Sequence, residues 1–161
     1  MPANAPSPIA LMLSGNAIVE LPLQPKKACS PIFVTLININ YVFYVESFAF
    51  AHCSALTQMY ALGIMHVSLD AFANTAWLQN QLSTKSQAIL GGLLIAYMPE
   101  ENKKVMELSD WRSDAFGIAE QAFISTDLEK IYVPSRVSAI NNGAFANLTT
   151  LKNVTLNKCY G

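Results

Sequence analysis

The sequence predicts an α/β repeat fold, a solenoid in which short coils stack and share one core. Three observations predict it. The chain has 161 residues and is 52% apolar, so it can bury a core but is too short for two ordinary domains. An Ala-Phe pair recurs at a spacing of 22 residues, and a Leu-x-x-apolar-x-apolar frame follows it. Such a recurrence is typical of solenoids, whose repeats bury their apolar faces only against neighbouring repeats.

The Ala-Phe pairs define the repeat. Four pairs share one frame: Ala49-Phe50, Ala71-Phe72, Ala122-Phe123 and Ala144-Phe145. The first two pairs are 22 residues apart, as are the last two, and in every copy the positions four and seven residues before the Ala are apolar. A small Ala lets adjacent coils approach closely, and the Phe is expected to fill the interior of the coil.

The leucine frame predicts the strands. It follows three of the pairs, as Leu56-Met59-Ala61, Leu128-Ile131-Val133 and Leu151-Val154-Leu156. The last two apolar residues of each frame point to one side of a strand, and the residue between them points to the other. We interpret Ile18-Leu21-Leu23, which has the same spacing, as an early and degenerate copy.

The repeat is interrupted between Ala71 and Ala122. We expect an irregular insertion near residues 79–111, in which Gly91-Gly92 joins a pair of strands and Val105 to Leu108 forms the next strand of the solenoid. The predicted organisation is therefore a poorly matching N-terminal segment, residues 1–40, in which one degenerate coil is proposed, followed by the solenoid at residues 41–161.

Two segments carry a family resemblance. The stretch "VSAINNGAFANLTTLKNVTL" (Val137 to Leu156) resembles the BspA-type leucine-rich repeat, and so does "YVFYVESFAFAHCSALTQM" (Tyr41 to Met59). Pro134 after a strand and Cys53 before Leu56 fit the same pattern. The resemblance implies a leucine-rich-repeat solenoid with parallel strands on the concave face and short helices or turns on the convex face. It also implies a surface or secreted protein that binds other proteins or cells.

The charge pattern argues against nucleic acid and against a membrane span. The formal net charge is −1, and the basic residues are scattered rather than gathered in a patch. The apolar run Ile32 to Val45 is interrupted by Asn38 and Asn40, and Ala88 to Met98 is shorter than the roughly 18 residues that a span needs. The N-terminus has no basic residue before Lys26, so no signal peptide is predicted.

Cysteine and histidine spacing predicts no metal site, no cofactor and no disulfide framework. Cys29, Cys53 and Cys159 are far apart, and His52 and His66 have no zinc-ligand spacing to them. A hydrolase in which Cys53 is the nucleophile and His52 or His66 is the base would require these side chains to converge in a pocket. We predict that the protein is not an enzyme.

The outward positions of the predicted strands are the candidate binding residues. They are Gln58, Tyr60, Lys130, Tyr132, Asn153 and Thr155, joined by Glu107 if Val105 to Leu108 is a strand. Tyrosine is enriched at interaction surfaces, which favours a protein partner for this row.

Two functional hypotheses remain open. The first is a protein-binding repeat module, of cell-surface or adhesion type by resemblance, that uses the concave sheet. The alternative is a structural scaffold segment, or a fragment of a longer repeat array, with no binding role of its own. Coils without polar caps would also expose apolar ends, so self-association through those ends is expected.

Overall fold

The computed structural model describes residues 9–13, 32–37, 43–45, 47–62, 65–68 and 70–157. The chain divides into two compact units, which are unit 1 (Met1–Asn80) and unit 2 (Gln81–Gly161). Within its described residues, unit 1 contains five strands: β1 (Ile9–Leu13), β2 (Ile32–Ile37), β3 (Phe43–Val45), β4 (Leu56–Leu62) and β5 (Met65–Val67). The helix α1 (Ala76–Lys85) spans the boundary between the units.

Up to residue 157, where its description ends, unit 2 contains seven strands and one 3₁₀ helix, at Leu108–Asp110. The strands are β6 (Gln87–Leu90), β7 (Leu93–Tyr97), β8 (Val105–Met106), β9 (Gly117–Ile118), β10 (Lys130–Val133), β11 (Ala139–Ile140) and β12 (Asn153–Leu156). Val105 to Leu108 was predicted as one strand, but β8 ends at Met106 and the 3₁₀ helix follows almost at once.

The described strands of each unit form two small sheets. In unit 1, parallel strands form the order β1-β2-β4, which we call the front sheet of unit 1, and β3 pairs in parallel with β5. In unit 2, parallel strands form the order β8-β10-β12, the front sheet of unit 2. Its back sheet has the order β6-β7-β9-β11, parallel except for the hairpin β6–β7. The predicted repeat of parallel strands is therefore present in both units.

The N-terminal strands continue the coil spacing of unit 1. Ile9 of β1 aligns with Ile32 of β2, and Ile32 aligns with Leu56 of β4. The two strands β1 and β2 thus lie in the segment that the sequence matched poorly. The proposed early copy Ile18-Leu21-Leu23 lies outside the described residues.

Short helices or turns were expected on the side of the coil that carries the Ala-Phe pairs, and the described residues have turns and short strands there. Helix is absent from these four turns because left-handed residues stand on both sides of the Ala-Phe pair. These have φ between 51° and 70° and are Phe48, Asp70, Gln121 and Gly143 before the Ala, and His52, Asn74 and Asn147 after the Phe. A left-handed residue cannot continue a right-handed helix, so each pair sits in a turn and the chain reverses there.

The helix α1 has clear local signals at both ends. The hydroxyl of Thr75 accepts a hydrogen bond from the Leu78 N–H at 3.2 Å, which satisfies one of the free donors of the first turn. At the other end Ser86 has a φ of 58°, and its N–H donates to the Leu82 carbonyl at 3.0 Å.

The predicted strand pair around Gly91-Gly92 is the hairpin β6–β7. Gly91 and Gly92 have φ values of 58° and 86°, the left-handed pair that a two-residue hairpin turn requires. A Cβ at Gly92 would also lie 3.0 Å from Cδ2 of Phe116, so a larger residue there would have to displace the Phe116 ring.

Aromatic rings form the core of each unit. In unit 1 the rings of Phe50 and Phe72 stack at 5.2 Å, and Trp77 packs on Phe72 at 5.0 Å. In unit 2 Phe123 is fully buried and contacts three other rings, those of Tyr97, Trp111 and Phe145. The recurring Phe therefore fills the interior, as the sequence predicts.

Tyr97 takes the place of a repeat Phe in unit 2. Its N–H donates to the Ala122 carbonyl at 2.9 Å, as the N–H of Phe50 donates to the Ala71 carbonyl at 2.8 Å in unit 1. The pair Ala96-Tyr97 is thus one further Ala-aromatic copy, hidden by the change from Phe to Tyr and by its irregular distance from Ala122.

Candidate interaction surface

The front sheet of unit 2 brings four of the predicted residues together. On β10, Lys130 is exposed and Tyr132 is half-buried, and they alternate with the buried Ile131 and Val133. On β12 the outward positions are Asn153 and Thr155. Register pairs Lys130 with Asn153 and Tyr132 with Thr155, so the four residues form a block two strands wide.

Hydrogen bonds fix the backbone beneath this block. The indole Nε1 of Trp111 donates to the carbonyl of Tyr132 at 2.8 Å, which ties β10 to a buried ring. On the surface, the hydroxyl of Thr155 donates to Oδ1 of Asn153 at 2.9 Å. A face held by core packing from below loses little conformational entropy on binding.

Opposite charges beside the block join successive coils. Nζ of Lys152 lies 2.6 Å from Oε2 of Glu129, and Nζ of Lys104 lies 3.7 Å from Oδ2 of Asp127. The hydrogen bond from Lys152, more than any other cause, holds the pKa of the Glu129 carboxyl below its usual range. These ion pairs were not predicted. The signal that could have found them is the presence of oppositely charged residues about one repeat length apart in the sequence.

Glu107 does not belong to the strand row. Its inclusion depended on a strand from Val105 to Leu108, and β8 ends one residue before it. Glu107 is exposed and precedes the 3₁₀ helix, where its N–H donates to Oδ2 of Asp110 at 2.7 Å. The carboxylate of Asp110 draws the backbone out of the strand, because an acidic side chain three residues ahead satisfies the free N–H at a helix start.

The predicted residues of unit 1 lie together on β4. Gln58 and Tyr60 are exposed, and Leu62, which the sequence interpretation left out, continues the row. The exposed fractions of Tyr60 and Leu62 are 54% and 40%. This row is more apolar than the block in unit 2, which contains a lysine and two short polar side chains.

Cys53 does not have the environment of a catalytic nucleophile. Its thiol is buried, and burial raises the pKa of that thiol, whereas a nucleophilic cysteine needs a lowered pKa. His52 is exposed, and its Nδ1 lies 3.3 Å from Nδ2 of Asn74, one coil further on. Within the described residues, no three His, Cys, Asp or Glu side chains cluster as metal ligands would.

An open cleft lies beside β12 at one end of unit 2. It has a volume of about 490 Å³. Apolar residues from β10, β11, β12 and the intervening turn line most of it, among them Val133, Val137, Ile140 and Leu156. The repeat pattern predicts uncapped ends but gives no sign of this cleft.

Residues 117–160 match the family described as BspA type leucine rich repeat region (6 copies). The resemblance to BspA-like repeats is confirmed. The matched segment includes β9 to β12 and the whole block around Tyr132. BspA-type repeats belong to the leucine-rich repeats, so the match supports a repeat fold and a protein-interaction repeat module.

Neither the curated proteins nor the solved structures contain a significant match to the chain. In the part of the chain that the structure describes, no helix has the length and apolar character needed to cross a membrane.

Proposed function

We propose that this chain is a protein-binding repeat module and that the outward block of Lys130, Tyr132, Asn153 and Thr155 is its main contact surface. One observation carries the proposal. These four side chains stand in register on two parallel strands, within the segment that matches BspA-type repeats.

The chemistry of the block suits a protein partner. Tyr132 offers a rigid apolar ring with a hydroxyl, Lys130 offers one positive charge, and Asn153 and Thr155 offer short hydrogen-bonding groups. The exposed Gln58 and Tyr60 of unit 1 are proposed as a second contact row.

The wider setting of the proposal comes from the family. We infer a leucine-rich-repeat solenoid with parallel strands on its concave face, and a cell-surface or extracellular location with an adhesion-type role. The proposal includes no catalytic chemistry, in keeping with the buried thiol of Cys53.

Photocrosslinking tests the proposed surface. Tyr132→p-benzoylphenylalanine places the crosslinker in the block, and Ser125→p-benzoylphenylalanine places it on an exposed turn outside the front sheet. We expect one protein to crosslink from position 132. An excess of unlabelled wild-type chain should compete with this crosslink, and the added substitution Lys130→Glu should abolish it. Equal capture from position 125, or capture indifferent to Lys130→Glu, would contradict the proposal.

A second candidate function is a scaffold segment that extends a repeat array. The observation that favours it is the exposure of three apolar side chains at the open end of unit 2, Ile140, Val154 and Leu156. Such a segment would associate through this end, with another coil or another copy.

A further inference from the structure

The outward amide of Asn153 is oriented by a neighbour on its own strand. The hydroxyl of Thr155 donates to Oδ1 of Asn153 at 2.9 Å. Residues two positions apart on a strand face the same side, so this bond lies on the outer face of the front sheet of unit 2. The bond holds the amide oxygen toward Thr155. The Nδ2 group, with its two N–H donors, is therefore turned away from Thr155 and is left for a partner.

Lys130 stands directly beside this amide. Register pairs Lys130 of β10 with Asn153 of β12, and both side chains are exposed. Neighbouring strands are about 4.8 Å apart, so the two side chains rise from adjacent points of one face. A lysine ammonium carries N–H donors and no acceptor. Because the lysine side chain is long, Nζ of Lys130 and Nδ2 of Asn153 can both donate to one group that carries two acceptor oxygens.

The carboxylates closest to Lys130 along the chain are bound to other lysines. Glu129 pairs with Lys152 at 2.6 Å, and Asp127 pairs with Lys104 at 3.7 Å. Among the ion pairs of the described residues, none includes Lys130. Its positive charge is therefore not matched by a contacting carboxylate in the described part of the chain.

The β8 side of Lys130 offers no acceptor side chain either. Its register partner on that strand is Val105, which is apolar. Glu107 lies beyond the end of β8, and it forms no ion pair with Lys130. The outer face thus presents donors at Lys130 and Asn153 and lacks a negative group that would bind them.

From these observations we propose that the partner presents an Asp or Glu side chain to this surface, whose carboxylate accepts hydrogen bonds from Nζ of Lys130 and Nδ2 of Asn153. Hydrogen bonds between an ammonium and a carboxylate are stronger than those between neutral groups, so this contact selects an acidic residue over its amide. Thr155 is a positioning residue, since it acts through the amide of Asn153. The inference rests on the proposed contact surface around Tyr132 and adds the chemistry of its partner.

Selection from a displayed library of random peptides tests this chemistry with the purified full chain. Peptides whose binding is lost with Tyr132→Ala are kept, because these bind the contact surface. We expect them to share an Asp or Glu at one position, and selection on the Lys130→Glu variant should not enrich that acid. Peptides that need Tyr132 but share no acid would overturn the inference and leave the contact surface standing. A failure to select any peptide that needs Tyr132 would overturn both.

The affinity of one selected peptide, measured by fluorescence polarisation, tests the two donors. Asn153→Asp keeps an acceptor for Thr155 but removes both N–H donors and adds a negative charge. This variant and Lys130→Met should each weaken binding at least about tenfold. The matched control Asn142→Asp adds the same charge on an exposed turn and should change the affinity less than about twofold.

A double-mutant cycle assigns the contact to the carboxylate. Replacing the acid of the peptide by its amide should weaken binding to the wild type, and Lys130→Met should then add little further loss, because both changes remove one interaction. Independent, additive losses would overturn the proposed contact. Circular dichroism of each variant checks that it remains folded.

Thr155→Val tests the positioning role, because it keeps the size of the side chain and removes the bond to Asn153. It should weaken binding of the acidic peptide about threefold, as expected for the loss of one neutral hydrogen bond. Binding of the amide form of the peptide should change less. An equal effect on both forms would show a general structural role and contradict the orientation of Asn153 by Thr155.

Discussion

The rings of Phe123 and Phe145 stack with centroids 5.7 Å apart and planes only 8° from parallel. The same position in unit 1 has the same arrangement, with Phe50 and Phe72 at 5.2 Å and 2°. Each pair joins two successive coils, so the recurring Phe links one coil to the next. The stacking turns a sequence repeat into a continuous core.

Phe123→Ala should be among the most damaging single substitutions in unit 2. The ring is fully buried and contacts Tyr97, Trp111 and Phe145, so its removal leaves a cavity between coils. We expect a loss of about 3–5 kcal/mol in the free energy of unfolding, measured by urea titration followed by circular dichroism. Phe116→Ala is the matched control, because Phe116 is 52% exposed and should cost far less. Similar losses for both variants would refute the role of the stack.

Gly143→Ala tests the left-handed turn before the Ala-Phe pair. Gly143 has a φ of 70°, and a Cβ there would meet only an ordinary contact, Cγ of Glu120 at 3.5 Å. The cost should therefore come from the backbone alone, about 1 kcal/mol in thermal or urea unfolding. Gly143→Asn should lose less, because Asn tolerates this conformation. Equal losses for Ala and Asn would point to crowding instead.

The ion pair between Glu129 and Lys152 should be visible in a pH titration. The pKa of Glu129 is lowered from its usual 4.5, first by the hydrogen bond from Lys152. A group with a lowered pKa stabilises the fold above its unfolded pKa, and this contribution is lost as the pH falls through the folded value. The carboxyl resonance of Glu129 should therefore titrate below 4.5 in the wild type and nearer 4.5 in Lys152→Met.

Lys130→Met provides the control for this titration. Lys130 also lowers the pKa of Glu129, but as the last of the causes and without a hydrogen bond. Its removal should move the resonance less than Lys152→Met does. The stability effect of either variant should be small, since the carboxyl is in contact with solvent.

Cys53 should be unreactive in the folded protein. The thiol is buried and its pKa is raised by desolvation, so little thiolate is present near neutral pH. In a Cys29→Ser, Cys159→Ser variant, labelling by iodoacetamide at pH 7.5 should be slow and should speed up sharply in urea. Rapid labelling without urea would revive the nucleophile hypothesis for this residue.

The strand positions were the most predictable part of the candidate surface. Alternation within the leucine frame assigned Lys130 and Tyr132 outward and Ile131 and Val133 inward, because side chains alternate sides along a strand whatever its neighbours are. The predicted strand from Val105 to Leu108, on which the inclusion of Glu107 depended, was wrong because a local hydrogen bond overrode the pattern. A hydrogen bond to a residue three positions ahead ended the strand early, and no periodicity reports such a bond.

Several other features escaped the sequence interpretation. Tyr97 replaces a repeat Phe, so a search for identical pairs does not find it. The strands β1 and β2 align at coil spacing although their sequences show no Ala-Phe pair. The exposure of Leu156 depends on what lies beyond β12, and its frame position is the same as that of the buried Val133.

The sequence by itself determined the repeat, its length, the inward aromatic positions and the outward face of each strand. These follow from local rules: alternation along a strand, the small size of Ala, and the volume that a Phe must bury. Only the tertiary structure decided three features. They are the back sheet, the ion pairs between successive coils, and the contrast between the buried Ile131 and the exposed Val154. Those depend on which coil lies beside which, and burial is a property of neighbours in space rather than of position in a repeat.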